Sequence, residues 1–379
     1  MDKDYLNKLF INEAKPALER HSGSGVSADT LKVLLDGTKS AKYMFYDNKS
    51  LLCEDIQILS GEATSNITST FYMFRDCTSL TSVPLFDTSN VTDMGHMFGG
   101  CTSLTSVPLF NTSKVTAMSY MFVGCKMLTS VPLFDTSKVT TMNCMFQNCT
   151  SLTTVPLFDT SSATSMTSMF SGCTSLTSVP LFDTSKVTAI SSMFQNCTSL
   201  TSVPSFDTSS ATAMSAMFQS CTSLTSVPLF DTSKVTNMSN MFNACLALTT
   251  VPSLDIRSVT SVTAMFNNCK QLTDCRLRNI KINVQVGSGT TYGHLLTVDS
   301  LVHLINELVN VGSSRTLTIG SANLEKLANV YVRPITITDE MRAEDDLIDL
   351  KSPFVVCNST DEGATLITTY VALKKWQLQ

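Results

Sequence analysis

The chain has 379 residues, 43% of them hydrophobic and only 15% charged, with a net charge of −5. That balance excludes the basic footprint of a nucleic-acid surface, and no block of like charge suggests an electrostatic membrane anchor. No stretch approaches the roughly 18 uninterrupted apolar residues of a membrane helix, and polar duty falls on Ser and Thr.

In chain order, the opening MDKDYLNKLF carries acids early and has no apolar h-region, so a secretory signal is not expected. DYLNKLFINEAKPALERHS reads as a helix interrupted at Pro16, and Gly23-Ser24-Gly25 as a break. SADTLKVLLDG reads as a second short helix, with Ser27 or Asp29 as cap and Gly37 as stop. Residues 1–40 are therefore predicted to be a helical segment that caps the first coil or serves attachment or oligomerisation.

Residues 41–275 are a repeat. Met-Phe pairs begin at Met73, Met97, Met121, Met145, Met169, Met193, Met217, Met241 and Met265, every step 24 residues without insertion. Eight full units run from Met73 to Ala264, and a ninth decays after Cys269 and Leu272. A degenerate earlier unit holds Met44-Phe45, with Asn48 in the cysteine place and Leu51 in the leucine place. Gapless spacing means stacked coils in register, a solenoid whose single coil cannot offset its own ordering entropy and needs neighbours. The apolar positions of one unit are Met97, Phe98, Cys101, Leu104, Val107, Phe110, Val115 and Met118. Between them lie Thr, Ser, a proline and a DTS turn. These predict short strands at TSLTSV and SKVTAM, a tight helical turn at MFxxC and a corner at PLFDTS, with Pro ending the strand.

The cysteine row from Cys77 to Cys269 would place neighbouring Cβ atoms side by side rather than converging, so buried free thiols with a weak S–H donor are expected. Metal binding would want CxxC or Cys/His clusters, which the sequence lacks. The row Asp87, Asn111, Asp135, Asp159, Asp183, Asp207, Asp231 and Asp255 marks the corners, with Thr-Ser next at every one but the last. Asx-turns explain it better than calcium, because Asn111 does the same job without charge.

The pattern Val-x-x-Met-x-x-Met-Phe-x-x-Cys-x-x-Leu-x-x-Val, over Met73 to Leu272, resembles the BspA-like leucine-rich repeat family, and narrowly its FDTSxVTxMxxMFxxC branch. The resemblance implies a β-rich, leucine-rich-repeat-like solenoid of 24-residue coils, of the kind found in bacterial surface proteins and in phage or prophage tail proteins used for attachment.

Residues 276–379 leave the repeat. LTVDSLVHLINELVNVG reads as a helix with Asp299 as cap and Gly312 as stop, RTLTIG as a strand, SANLEKLANV as a helix and VYVRPITIT as a strand. They predict an α+β capping region; the acidic stretch 339–349 reads as a solvated helix face, and VALKKWQLQ resembles closing segments of similar repeat proteins.

No Ser-His-Asp set, phosphate loop or paired carboxylate emerges, so the expectation is a non-enzymatic binding protein without cofactor or metal. Copy compared with copy, variation gathers just before Met-Phe and two residues after Met, on positions predicted to share an outer face. The candidate binding face is Arg75, Asp93, His96, Tyr120, Val123, Gln147, Gln195, Gln219, Asn240 and Asn243, weighted to its N-terminal end; neutral drift is the alternative. The expected partners are a cell-surface receptor, protein or glycan, or other virion proteins, with self-association left open. The expected setting is a virion or the cell surface: a phage-tail attachment protein, a bacterial adhesin or a structural spacer.

Overall fold

Hydrogen-bond direction turns the repeat into stacked coils. Around each Met-Phe pair, alternate N–H groups point out of the coil and the others stay within it. Met94, His96, Phe98 and Gly100 donate to the carbonyls of Ala117, Ser119, Met121 and Val123 in the next coil, at 2.7–3.0 Å. Met97, Gly99 and Cys101 donate three residues back, to Met94, His96 and Phe98. The chain manages this alternation by entering the left-handed region twice per coil, at the residue before Met (His96, φ 56°) and at the residue before Cys (Gly100, φ 76°). MFxxC is therefore not the tight helical turn that the sequence predicts. A helix would keep every N–H inside its own segment and leave the next coil unbonded.

The computed structural model describes residues 40–60, 64–279 and the short stretches 284–286, 296–297, 300, 303–304, 316–319 and 354–357. They belong to two units, divided between Leu200 and Thr201. In the first, parallel bridges run Ser69 to Asp93, Ala117, Thr141, Ser165 and Ala189, each one repeat on from the last. In the second they join Ala213, Asn237 and Ser261. Each SKVTAM-type stretch thus contributes one bridge rather than a strand. TSLTSV contributes rungs such as Thr105 N–H to Thr81 O, 2.9 Å. The corners on either side leave too little straight chain for more. Only in the second unit does this position lengthen into strands, where β1 (Thr250–Asp255) pairs in parallel with β2 (Asp274–Arg278).

Each corner is built from its own residues. Pro108 lacks an N–H, and its carbonyl accepts the N–H of Phe110 two residues on, at 3.0 Å, closing a tight three-residue turn. The acid row then forms Asx-turns: Ser89 N–H meets Asp87 Oδ1 at 2.8 Å, and Asn111 does the same for Ser113 at 3.2 Å. The following Thr turns inward and crosses to the next coil. Thr88, Thr112, Thr136 and Thr160 are buried, and their hydroxyls donate to the corner carbonyls of Asn111, Asp135, Asp159 and Asp183 at 2.7–2.8 Å.

The core consists of rows. In the first unit Phe45, Phe74, Phe98, Phe122, Phe146, Phe170 and Phe194 stack with centroids 5.2–5.7 Å apart and planes within 9°. Phe218, Phe242 and Phe266 do the same in the second, at 5.7 Å. Beside them runs the cysteine row. Its thiols are free and buried, and within both units they donate to phenylalanine carbonyls of the preceding coil, as Cys101 Sγ does to Phe74 O at 2.9 Å and Cys245 Sγ to Phe218 O at 3.0 Å. Burial raises the thiol pKa of Cys101 well above its ordinary value. Cys269 and Cys275 are both free.

The degenerate first coil is longer, with Met44 and Met73 29 positions apart, and its extra chain forms a 3-10 helix, Cys53–Ser60. The second unit closes on Ser300, whose hydroxyl accepts the N–H of Cys275 and donates to its carbonyl, and on His303, whose Nε2 lies 2.9 Å from Leu277 O. Beyond the repeat, β3 (Val284–Val286), β4 (Thr316–Ile319) and β5 (Phe354–Cys357) pair in parallel in that order. The predicted N-terminal helices, the segment SANLEKLANV, the strand VYVRPITIT, the acidic stretch 339–349 and the closing VALKKWQLQ lie outside the described residues. Among the described residues no helix is long and apolar enough to cross a membrane.

Candidate functional site

The residue before each Met-Phe pair has positive φ, and apart from the buried Cys144 its side chain is half-exposed. In the N-terminal coils this row reads Tyr43, Tyr72, His96 and Tyr120, with φ of 61°, 62°, 56° and 62°. A left-handed aromatic residue costs on the order of 1–2 kcal/mol, offset by the inter-coil hydrogen bond that the turned N–H makes. Because the coils stack in register, the rings stack too. Centroids are 5.0 Å apart for Tyr43 and Tyr72, 4.4 Å for Tyr72 and His96, and 4.4 Å for His96 and Tyr120. All four are half-buried, their faces turned to one another.

Neighbours lock the stack. Phe71 meets Tyr43, Tyr72 and His96 edge to face, and Tyr46 packs against Tyr43 and Tyr72. Phe71 fits because Gly95 has no side chain: a Cβ there would come within 3.0 Å of the ring. Arg75 lies over Tyr72, its guanidinium carbon 4.8 Å from the centroid, a cation–π contact. Its Nε meets Asp76 at 3.3 Å and its Nη1 meets His96 Nδ1 at 2.7 Å. A guanidinium only donates, so Nδ1 accepts and the neutral imidazole carries its proton on Nε2. Burial, and next the charge of Arg75, lower the His96 pKa to about 4. The Tyr43 hydroxyl is pushed up by burial and that of Tyr120 by its hydrogen bond to Cys144. The ring tips of Tyr43, His96 and Tyr120 are thus uncharged at neutral pH.

The structure brings Arg75, His96 and Tyr120 together. Asp93 supports them from below, accepting the N–H of Gly95 with Oδ1 at 2.9 Å. Val123 packs over Gly99, and its carbonyl takes the Gly100 N–H at 2.7 Å. Gln147 and Gln195 occupy the same row further along the first unit, where the residues before Met-Phe are Cys144 and Ser192 and no ring stack continues. Gln219, Asn240 and Asn243 belong to the second unit. There Asn243 Nδ2 donates to Asn240 Oδ1 at 2.9 Å. Within the first unit, Arg75, His96 and Tyr120 are the candidates joined by direct contacts, and the second-unit candidates are described by themselves. Tyr43, Tyr46, Phe71 and Tyr72 were missed, although the row that contains His96 and Tyr120, read two copies earlier, leads to Tyr72 and Tyr43. Among the described residues no group of three His, Cys, Asp or Glu is placed to hold a metal ion.

A stack of coils that presents variable side chains from a constant backbone defines a repeat solenoid with a surface strip. Comparison of the sequence with protein families places it further. The family described as "Mycoplasma protein of unknown function, DUF285" matches residues 39–152, 68–180, 128–226 and 164–280, together well over half of the chain. The protein belongs to this BspA-like repeat family. Among curated proteins no match is found. Solved structures include a leucine-rich cell surface protein from Faecalibacterium prausnitzii, at 22% identity and a TM-score of 0.41, covering 63% of this chain and 69% of that one. They also include TLR13 in complex with ssRNA13, at 12% identity and a TM-score of 0.22, where 78% of this chain matches 56% of the other.

Proposed function

We propose that this protein is a non-enzymatic attachment protein, in which leucine-rich-repeat-like coils of 24 residues form the scaffold and the ring strip from Tyr43 to Tyr120 is the contact surface. The observation that carries the reading is the concentration of aromatic side chains, half-exposed and immobilised, on coils whose later copies carry Ser or Cys at the same place. Core packing does not require them, since the coils of Ser168 and Ser192 keep the same backbone without them. Rigid aromatic rings supply contact area at little entropic cost, which is why Tyr dominates recognition hot spots. The partner is a cell-surface receptor. Resemblance of the repeat phrase to phage and prophage tail proteins makes a virion tail the first setting to test and a bacterial cell surface the second.

The purified protein, fluorescently labelled, is tested for adhesion to intact bacteria and to host extracellular matrix. Binding to bacteria supports a tail protein, and binding to matrix supports an adhesin. Tyr72→Ser and Tyr120→Ser each reduce adhesion. Unchanged adhesion of both variants overturns the assignment of the strip, and no adhesion to either surface overturns attachment.

A further inference from the structure

We propose that the ring strip binds an extended, neutral glycan chain, one sugar unit for each coil. This rests on the strip being the contact surface and names the chemistry of its ligand. The first argument is shape. The strip is one ring wide, built of four successive rungs on Tyr43, Tyr72, His96 and Tyr120. A globular partner needs about 800 Å² on each side, far more than a row of half-buried ring edges supplies, whereas a linear chain needs only a line of contacts.

The second argument is spacing. The rungs lie 4.4–5.0 Å apart, close to the length by which one pyranose extends a straight glycan. A chain lying along the strip would meet an equivalent group at every sugar. Chains that curl, such as α-1,4-linked glucans, lose this register after one or two units.

The third argument is the chemistry of the edges. Each ring turns its faces to its neighbours and leaves an apolar edge with a polar tip: tyrosine hydroxyls, which donate and accept, and the imidazole Nε2–H, which donates. Sugar hydroxyls and ring C–H groups are complementary to that mixture. The raised pKa values of Tyr43 and Tyr120 and the lowered one of His96 keep those tips neutral. The guanidinium beside them gives two of its N–H groups to neighbours, Nε to Asp76 and Nη1 to His96, and Asp76 balances its charge.

The test is isothermal titration calorimetry of the full chain with cello-, chito-, manno- and galacto-oligosaccharides, from di- to hexasaccharide. Malto-oligosaccharides serve as the curled control and hyaluronan as the acidic one. At least one extended neutral series is expected to bind, with affinity rising to the tetrasaccharide and levelling beyond it. Tyr72→Ser and Tyr120→Ser are each expected to weaken binding about tenfold. Both variants keep the fold, because Ser168 and Ser192 hold the same left-handed position (φ 56° each) in this same unit. Failure of every extended neutral series, a preference for hyaluronan, or an affinity independent of length overturns the glycan assignment. Adhesion separates the two readings. If the variants lose adhesion to cells but no glycan binds, the strip is the contact surface for another class of ligand. If they keep adhesion, the strip is not the contact surface at all.

Discussion

The coils of Tyr72, His96 and Tyr120 and the coils of Ser168 and Ser192 are built on one backbone and present different surfaces. φ at the variable position is 62°, 56° and 62° in the first group and 56° and 56° in the second. The buried Phe row runs through both without a break in spacing. The difference teaches that scaffold and surface are separable here. Inter-coil hydrogen bonds and the core determine the path of the chain, and the side chain at the turned-out position is free to change.

The largest break of that comparison should show none of it. Phe98→Ala lies behind the ring strip and Phe146→Ala behind the plain coils; both rings are fully buried. Each is expected to destabilise by about 3–5 kcal/mol, measured by denaturant unfolding, and the two losses should agree. A much larger loss for Phe98→Ala would mean that the strip carries stability. Next in size, Thr88→Val and Thr160→Val remove one corner bond in each region, to Asn111 O and Asp183 O. Each strands a carbonyl and is expected to cost about 1–3 kcal/mol. Indifference to either substitution would remove the corner threonine from the account of stacking.

Cys144→Tyr sharpens the comparison by adding a fifth ring beyond Tyr120, converting a plain coil into an aromatic one. The affinity plateau should then move from the tetrasaccharide to the pentasaccharide. An unmoved plateau would sever ring count from ligand length. The smallest effect is a pH term confined to the aromatic coils. The folded His96 pKa of about 4 lies below the ordinary 6.5, so the unfolded chain binds more protons between those values. Stability contributed by neutral His96 is complete above pH 6.5 and declines as pH falls through the window to about 4. Thermal melts of His96→Ser should lack that decline. The Asx-turn carboxylates, whose pKa values are lowered chiefly by bonds from the following Ser, lose their contribution at still lower pH in both kinds of coil. A decline that persists in His96→Ser would assign the window to another group.

Much of this was legible because repetition amplifies local rules. Six copies of Asp-Thr-Ser after a proline made the corner and its Asx-turn readable, and nine cysteines in one row spoke for thiols rather than bridges. The helical turn at MFxxC was misread because its apolar spacing of three and four fits a helix as well as a turn ribbon. The signal that separates them was present: Asp76, Gly100, Gly124, Asn148, Gly172 and Asn196 occupy the place before Cys, and such residues tolerate positive φ best. The candidate face was half legible. Variation between copies pointed at His96 and Tyr120, but that rings on successive coils stack, and that Arg75 reaches across to His96, is decided only by the register between coils.

By itself the sequence determined the period, the residues of the core rows and the chemistry of the corners, because each depends on neighbours a few positions apart. Tertiary structure decided which way the outer residues face. In PLFDT the two apolar residues are adjacent, yet Phe134 is buried and Leu133 is 59% exposed, as are its counterparts Leu85, Leu157, Leu181 and Leu229 to a similar degree. Hydrophobicity does not distinguish them. The turn that begins at Pro does, since it points successive side chains to opposite sides of the coil wall, and only the stacked coils decide which side is inside.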